Sequence, residues 1–419
     1  MYHRTTLPNG LRIAVETIPA VESASVGIWV GAGSRDERPG EEGISHLIEH
    51  MFFKGTARRS ARQIAEEIDA VGGQLNAFTT REYTCFYAKI LGVHLPLGLE
   101  LLADMYTASV IDPVELEKEK GVVLEEIRSY EDAPDEVVHD LLATALWPRH
   151  PLGKPILGTP ATVQAIDREA VQAFLGRHYR PENTVLAVAG KVDFAEVVRL
   201  AEDLFRGLEP GRSREPGAPP KPDGSRLVKK KDTEQVHICL GAQGVPRRSP
   251  DKFTVHVMDS ILGGSVSSRL FQSLREDRGL VYATGSTHAA FRDTGLFSIY
   301  AGTAPARATE VIHLMQSEIR RLVQEPIPAA ELARAKEQLR GNFLLSLEST
   351  STRMSRLAKA ELFGDQCLTP DELTARIRTV TAADVTRVAR EIFGGRRLAA
   401  SVVAPPGVRL SLGRLLKET

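Results

Sequence analysis

Two distant stretches of this chain can be laid on one another without a gap. VQAIDREAVQAF (163–174) falls on IRTVTAADVTRV (377–388), and at the same offset TVLAVAG (184–190) falls on LAASVVA (398–404). Each pair reads as helix followed by apolar strand. More loosely, YTCFYAKI before a helix from Leu95 matches GLFSIYAG before a helix from Pro305. A chain made of two copies of one plan has to fold as two similar units. The expected fold class is therefore α+β: two duplicated domains, each a mostly antiparallel sheet with helices packed against it. EPGRSREPGAPPKPDGS (209–225), rich in Pro, Gly and charge and lacking apolar periodicity, is the expected linker between domains at 1–208 and 226–419.

With 419 residues, each half is long enough to bury a core. Hydrophobic residues make up 42% and charged residues 26%, the balance of a soluble globular protein. Lys plus Arg (53) nearly equals Asp plus Glu (54), so no electrostatic footprint for nucleic acid is present, and KKKD (229–232) reads as a solvated strand edge. No apolar run approaches the ~18 residues of a membrane span. The opening MYHRTTLPNGLRIAVET reads as a hairpin about Pro8-Asn9-Gly10 rather than as a signal or transit peptide, and a cytoplasmic location is expected. Cys85, Cys239 and Cys367 are odd in number and scattered, which argues against a disulfide framework and against a cysteine zinc site. A nucleotide-binding loop fails at VLAVAGK (185–191), where Val185 occupies the place of the first glycine.

Chemistry concentrates in GISHLIEHMFFKGT, beginning at Gly43. Ile44, Leu47, Ile48 and Met51 recur at helical spacing, and Gly55 suits the exit. On such a helix His46, Glu49 and His50 project from one face. Two imidazoles one turn apart can bind a single Zn²⁺ at ~2.0–2.1 Å, with the glutamate placed to act on water at the open position. The order is that of the inverted H-x-x-E-H motif. Satisfied core histidines are the bland alternative, but two histidines and a glutamate crowded among Ile, Leu and Met need partners.

A third ligand should come from another element. The helix expected after Asp112-Pro113, VELEKEKGVVLEEIRSYED, offers Glu119, Glu125 and Glu126, with Glu136 beyond it, and spacing does not choose among them. In the second half the corresponding stretch, HVMDSILGG (256–264), carries one histidine, so the metal-type motif lies in the first half alone.

SHLIEHMFFKGT, GGQLNAFTTREYTCFYAK, EKEKGVVLEEIRSYEDAPDEVVHDLL and HPLGKPILGT follow one another in an order and at spacings that resemble the pitrilysin/insulinase-type zinc metallopeptidases. That family includes the mitochondrial processing peptidase β subunit and its bacterial two-domain relatives. The resemblance implies one Zn²⁺ per chain, held by His46, His50 and Glu126, with Glu49 as general base. It implies that Glu119 and Glu136 orient ligands. QLNAFTT (74–80), with Leu75, Asn76, Ala77, Phe78 and Thr79, matches the edge strand to which a peptide substrate adds. Arg275 and Tyr282 match an R-x6-Y pair that binds substrate or polarises its carbonyl, acting on the metal site of a partner chain. The implied function is a zinc-dependent endopeptidase that cleaves unfolded peptides inside a dimer chamber. A homodimer is the simpler arrangement, because one chain keeps both the metal set and the Arg/Tyr pair; a heterodimer with a sister subunit is the other. A noncatalytic structural subunit of the same fold is the alternative, and the presence of every motif ligand speaks against it.

Overall fold

The computed structural model describes residues 2–211, 217–394, 398–410 and 412–415; within the expected linker, 212–216 lie outside the described residues. The chain forms two compact units. One comprises Met1–Arg128, Pro155–Gly217 and Ser346–Cys367, the other Ser129–Lys154, Ala218–Leu345 and Leu368–Thr419.

The first unit is built on β1 (Tyr2–Thr6), β2 (Arg12–Thr17), β3 (Ser23–Val30), β4 (Gln74–Thr79), β5 (Thr84–Leu91) and β6 (Thr184–Gly190), in the order β1-β2-β6-β3-β5-β4. The β2–β6 pair is parallel and all other pairs are antiparallel. The β1–β2 hairpin turns where Pro8-Asn9-Gly10 indicates, with Gly10 at φ +96°. Central strands are covered on both faces, which explains their nearly unbroken apolar runs. On β3, Val26, Ile28 and Val30 enter the larger core, while Trp29 packs with Met354 and Leu357 on the opposite face. A helix at Thr350–Phe363 supplies that second layer. It lies so close that a Cβ at Gly27 would stand 2.9 Å from Met354 Sδ.

In the second unit β7 (Arg226–Lys230), β8 (Val236–Gly244), β9 (Val281–Ala290), β10 (Gly295–Thr303) and β11 (Ala399–Ala404) form a sheet in the order β7-β11-β8-β10-β9. Again one pair, β7–β11, is parallel. KKKD falls at the end of edge strand β7, where Lys229 pairs with Glu131 and Lys231 with Asp132. Helices Lys252–Leu262, Ala308–Gln324 and Ala382–Phe393 contribute to the core on one face. The helix Pro134–Leu146 covers the other, burying Val138, Leu142 and Leu146 completely or nearly so; each such side chain contributes about 1.5–3 kcal/mol.

The two halves of the sequence thus exchange a helix. Pro134–Leu146 comes from the first half and packs on the second sheet, whereas Thr350–Phe363 comes from the second half and packs on the first. The duplicated stretches differ from the expected single helix in the same way in both halves. Pro160–Ala165 is followed by Arg168–His178, and Pro370–Thr379 by Ala382–Phe393. Asp167 accepts the Ala170 N–H and Thr381 the Asp384 N–H, so each starts a new helix with its own cap. Among the described residues no helix is long and apolar enough to cross a membrane.

Candidate metal centre

The motif helix spans Ile44–Phe52, as the apolar spacing indicates, with Leu47, Ile48 and Met51 fully or almost fully buried. Its start is unusual. Gly43 is the N-cap at φ +97° and offers no side chain to the free backbone donors. Glu37 fills that role from the preceding loop: one oxygen accepts from the Gly43 N–H and the other from the Ser45 N–H, each at 3.0 Å. The first turn, and with it His46, is fixed from outside the helix.

His46 and His50 meet the helix Pro113–Glu131, while Glu49, on the same side of the motif helix, reaches Thr79 of β4. This second helix starts where Asp112 Oδ1 accepts the Val114 and Glu115 N–H groups. Glu119 and Glu126 are two turns apart on it and therefore lie on one side. Glu126 Oε2 stands 3.6 Å from His46 Nε2 and 3.7 Å from His50 Nε2. Glu119 Oε2 takes His50 Nδ1 at 3.1 Å, and the other oxygen of Glu119 meets Lys54 Nζ at 2.7 Å. The Glu119 carboxylate accepts at His50 Nδ1, and Nε2 is the ring nitrogen nearer Glu126. Glu125 turns to solvent and pairs with Arg128. Glu136 is exposed in the first turn of Pro134–Leu146, in the second unit.

Ligand atoms of His46, His50 and Glu126 all lie within 4.8 Å of one another, the one such grouping among the described residues. Donors bound tetrahedrally at about 2.0–2.2 Å stand about 3.3–3.6 Å apart. The two Glu126–imidazole separations are at or just beyond that range, so a small inward shift of the side chains would let the set hold a zinc ion with a position to spare. The electrostatics agree. Burial, aided by the neighbouring His50 ring, pushes the His46 imidazole down to about 4, which leaves it neutral and able to ligate at neutral pH. His46 Nδ1 is buried without a hydrogen-bond partner among the described residues, while Nε2 is the ring nitrogen turned to Glu126. Burial also raises the Glu49 carboxyl above its usual range, against the opposing pull of the Thr79 hydroxyl and His50.

Glu49 Oε2 accepts that hydroxyl at 2.6 Å. Thr79 ends β4, which pairs with β5 on one side only and forms the sheet edge. Leu75 and Ala77 pack against the core, and Phe78 lies edge-on to Trp29; Asn76 is exposed. In the second unit the Arg275 guanidinium stacks over the rings of Phe271 and Tyr282, at 4.8 and 5.2 Å, and Tyr282 is 77% exposed. Sequence reasoning missed Glu37, which caps the helix from the loop before it, and Lys54, which lies beyond the helix end and meets a partner distant in sequence.

Residues 12–160 match the family described as Insulinase (Peptidase family M16), and residues 165–339 match Peptidase M16 inactive domain. A protein of Bacillus subtilis named uncharacterized zinc protease is 42% identical over 97% of this chain and 99% of its own length. The chain belongs to peptidase family M16. A second relative, from Streptomyces coelicolor and likewise named uncharacterized zinc protease, is 42% identical over 96% of this chain and 89% of its own. A crystal structure of a protease from Helicobacter pylori matches with a TM-score of 0.89 at 24% identity, over 97% of this chain and 99% of its own. A peptidase M16 inactive domain from Pseudomonas fluorescens matches at 0.91 with 18% identity, over 98% and 99%. These two likenesses show the fold. The metal-type grouping falls within the part matched by the insulinase description, in a single unit.

Proposed function

We propose that this M16 chain is a zinc endopeptidase in which His46, His50 and Glu126 hold the ion and Glu49 is the general base. The observation that carries the reading is the convergence of two Nε2 atoms and one carboxylate oxygen beside a carboxyl raised by burial. Bound zinc supplies Lewis acidity, which acidifies water and polarises a peptide carbonyl. Glu49 takes the proton of the attacking water and passes it to the departing amine. A carboxyl raised from its usual range is better matched to both transfers than a solvated one. Thr79 holds it at the end of the free edge of β4, where an extended peptide would add as a further strand. Main-chain bonds would supply affinity with little sequence selection, which favours unfolded peptides over folded proteins.

Arg275 and Tyr282 are reserved on this reading for substrate bound at the metal site of a second copy of the chain. Tyr282 is free to reach a partner, and the stacked guanidinium fixes its ring. The working unit is then a homodimer. Glu119 orients His50; Glu136 serves no ligand within its own unit. The test is a cleavage assay on a mixed peptide library with and without a chelator, with the mass of the oligomer measured alongside. Metal-dependent cleavage by a dimer supports the reading, and a chain that neither binds zinc nor cleaves is a noncatalytic member of the fold.

A further inference from the structure

Glu119 is 5% exposed, and a buried carboxylate needs both oxygens met. Among the described residues its partners are two: the His50 ring at one oxygen and the Lys54 ammonium at the other. Lys54 follows His50 by four residues, so it returns to the same side of the motif element one turn on. The helix, however, has already ended at Phe52. Its place is set by the chain around it. The Lys54 N–H bonds Met51 O at 3.1 Å, Gly55 turns at φ +114°, and Thr56 is bridged to Ser109 while its hydroxyl donates to Asp104 at 2.7 Å. A lysine held at its backbone on both sides, with a 31% exposed side chain against a buried acid, differs from a loose surface pair.

We propose that Lys54 is a positioning residue of the metal site, acting through Glu119 to hold His50 with its Nε2 turned to the ion. This rests on the metal reading above. Lys54 clamps one oxygen of Glu119, which leaves the other nowhere to go but against His50 Nδ1. Without the clamp the carboxylate swings, the Nδ1 proton loses its fixed acceptor, and His50 samples both tautomers. The ligand atoms themselves are untouched. A lysine at this place also explains why Glu119 can be buried so near a second acid, Glu126, on the same helix face.

The experiment measures Zn²⁺ affinity of the full chain by competition with a chelating indicator, for wild type, Lys54→Met, Lys54→Arg, Glu119→Gln and the Lys54→Met/Glu119→Gln double variant. Melting of each metal-free protein is recorded alongside. Loss of an outer-shell partner costs roughly 10–100-fold in metal affinity, so Lys54→Met should bind zinc about tenfold more weakly with its metal-free melting point unchanged. Lys54→Arg, which keeps the charge, should recover most of the loss. The double variant should bind no more weakly than Glu119→Gln alone, because the lysine has nothing left to act through. Nitrogen chemical shifts of His50 in metal-free Lys54→Met should show mixed tautomers. Wild-type affinity in Lys54→Met, or losses that multiply in the double variant, would overturn the proposal while leaving the metal site standing. Should Lys54→Met unfold, Lys54→Gln takes its place with the same expected loss. A wild-type chain that binds no zinc overturns the metal reading itself.

Discussion

Thr79 and Glu49 are joined by a 2.6 Å hydrogen bond, so that the last residue of edge strand β4 holds the carboxyl of the motif helix. The second unit repeats the bond. Asp259 on Lys252–Leu262 accepts the Ser286 hydroxyl of edge strand β9 at 2.5 Å. His256 and Asp259 keep the spacing of His46 and Glu49, but no metal-type grouping forms there among the described residues. The helix-to-edge bond is thus part of the shared plan, to which the first half adds metal donors.

Replacing Glu49 by Gln keeps the shape and the Thr79 contact while removing the base. Zinc content should stay at the wild-type level, and peptide turnover should fall about 10²–10⁴-fold. Paired metal analysis and steady-state kinetics check this; a Glu49→Gln enzyme with wild-type turnover would assign the proton transfers elsewhere.

Glu37→Ala leaves the Gly43 and Ser45 N–H groups of the motif helix without acceptors. A buried donor left alone costs about 1–3 kcal/mol, so with two donors denaturant unfolding of the metal-free chain should show a loss on the order of 2–6 kcal/mol. Glu37→Gln retains one oxygen and should lose less.

Gly43→Ala tests the helix entry. The residue sits at φ +97°, and an added Cβ would stand 2.7 Å from Leu157 O. Strain of about 1–3 kcal/mol is expected, and because His46 follows three residues later, zinc affinity should weaken with stability. Gly72→Ala, also at positive φ but with open space around its Cβ, should cost stability and leave affinity alone.

Acid should destabilise the metal-free protein through its buried histidines. Burial, with the field of His256, lowers His288 to about 4 from an ordinary 6.5. The unfolded chain therefore binds a proton that the folded chain refuses between these values. Stability is whole above about pH 6.5 and drains as pH falls toward 4, at most about 1.4 kcal/mol per pH unit for each such group. His178, also lowered to about 4, adds to the slope. Unfolding titrations of His288→Gln should be flatter by about one proton across this window; an unchanged slope would remove His288 from the account.

What could be read from the sequence was local. The motif helix, the hairpin at Pro8-Asn9-Gly10 and the helix after Asp112-Pro113 rest on spacing and caps, and they stand where those signals put them. The exchange of Pro134–Leu146 and Thr350–Phe363 was not legible, because an apolar helix face does not say which sheet it will cover. Glu126 could not be separated from Glu119 by spacing, since both lie on one side of their helix; only their distances to the two rings distinguish ligand from support. Glu37 and Lys54 were missed for a related reason. Their work is done on backbone or on a neighbouring acid, and no pattern marks such a partner in advance. Asp167 and Thr381 do mark the helix breaks in the sequence, as each is a capping residue inside an otherwise helical run.

The most direct test of the account is metal stoichiometry by mass spectrometry under native conditions, on the wild-type chain and on His46→Ala, His50→Ala and Glu126→Ala. One zinc per wild-type chain is expected, and essentially none in each variant, with folding retained. Zinc bound equally by wild type and the three variants, or by none of the four, would contradict it.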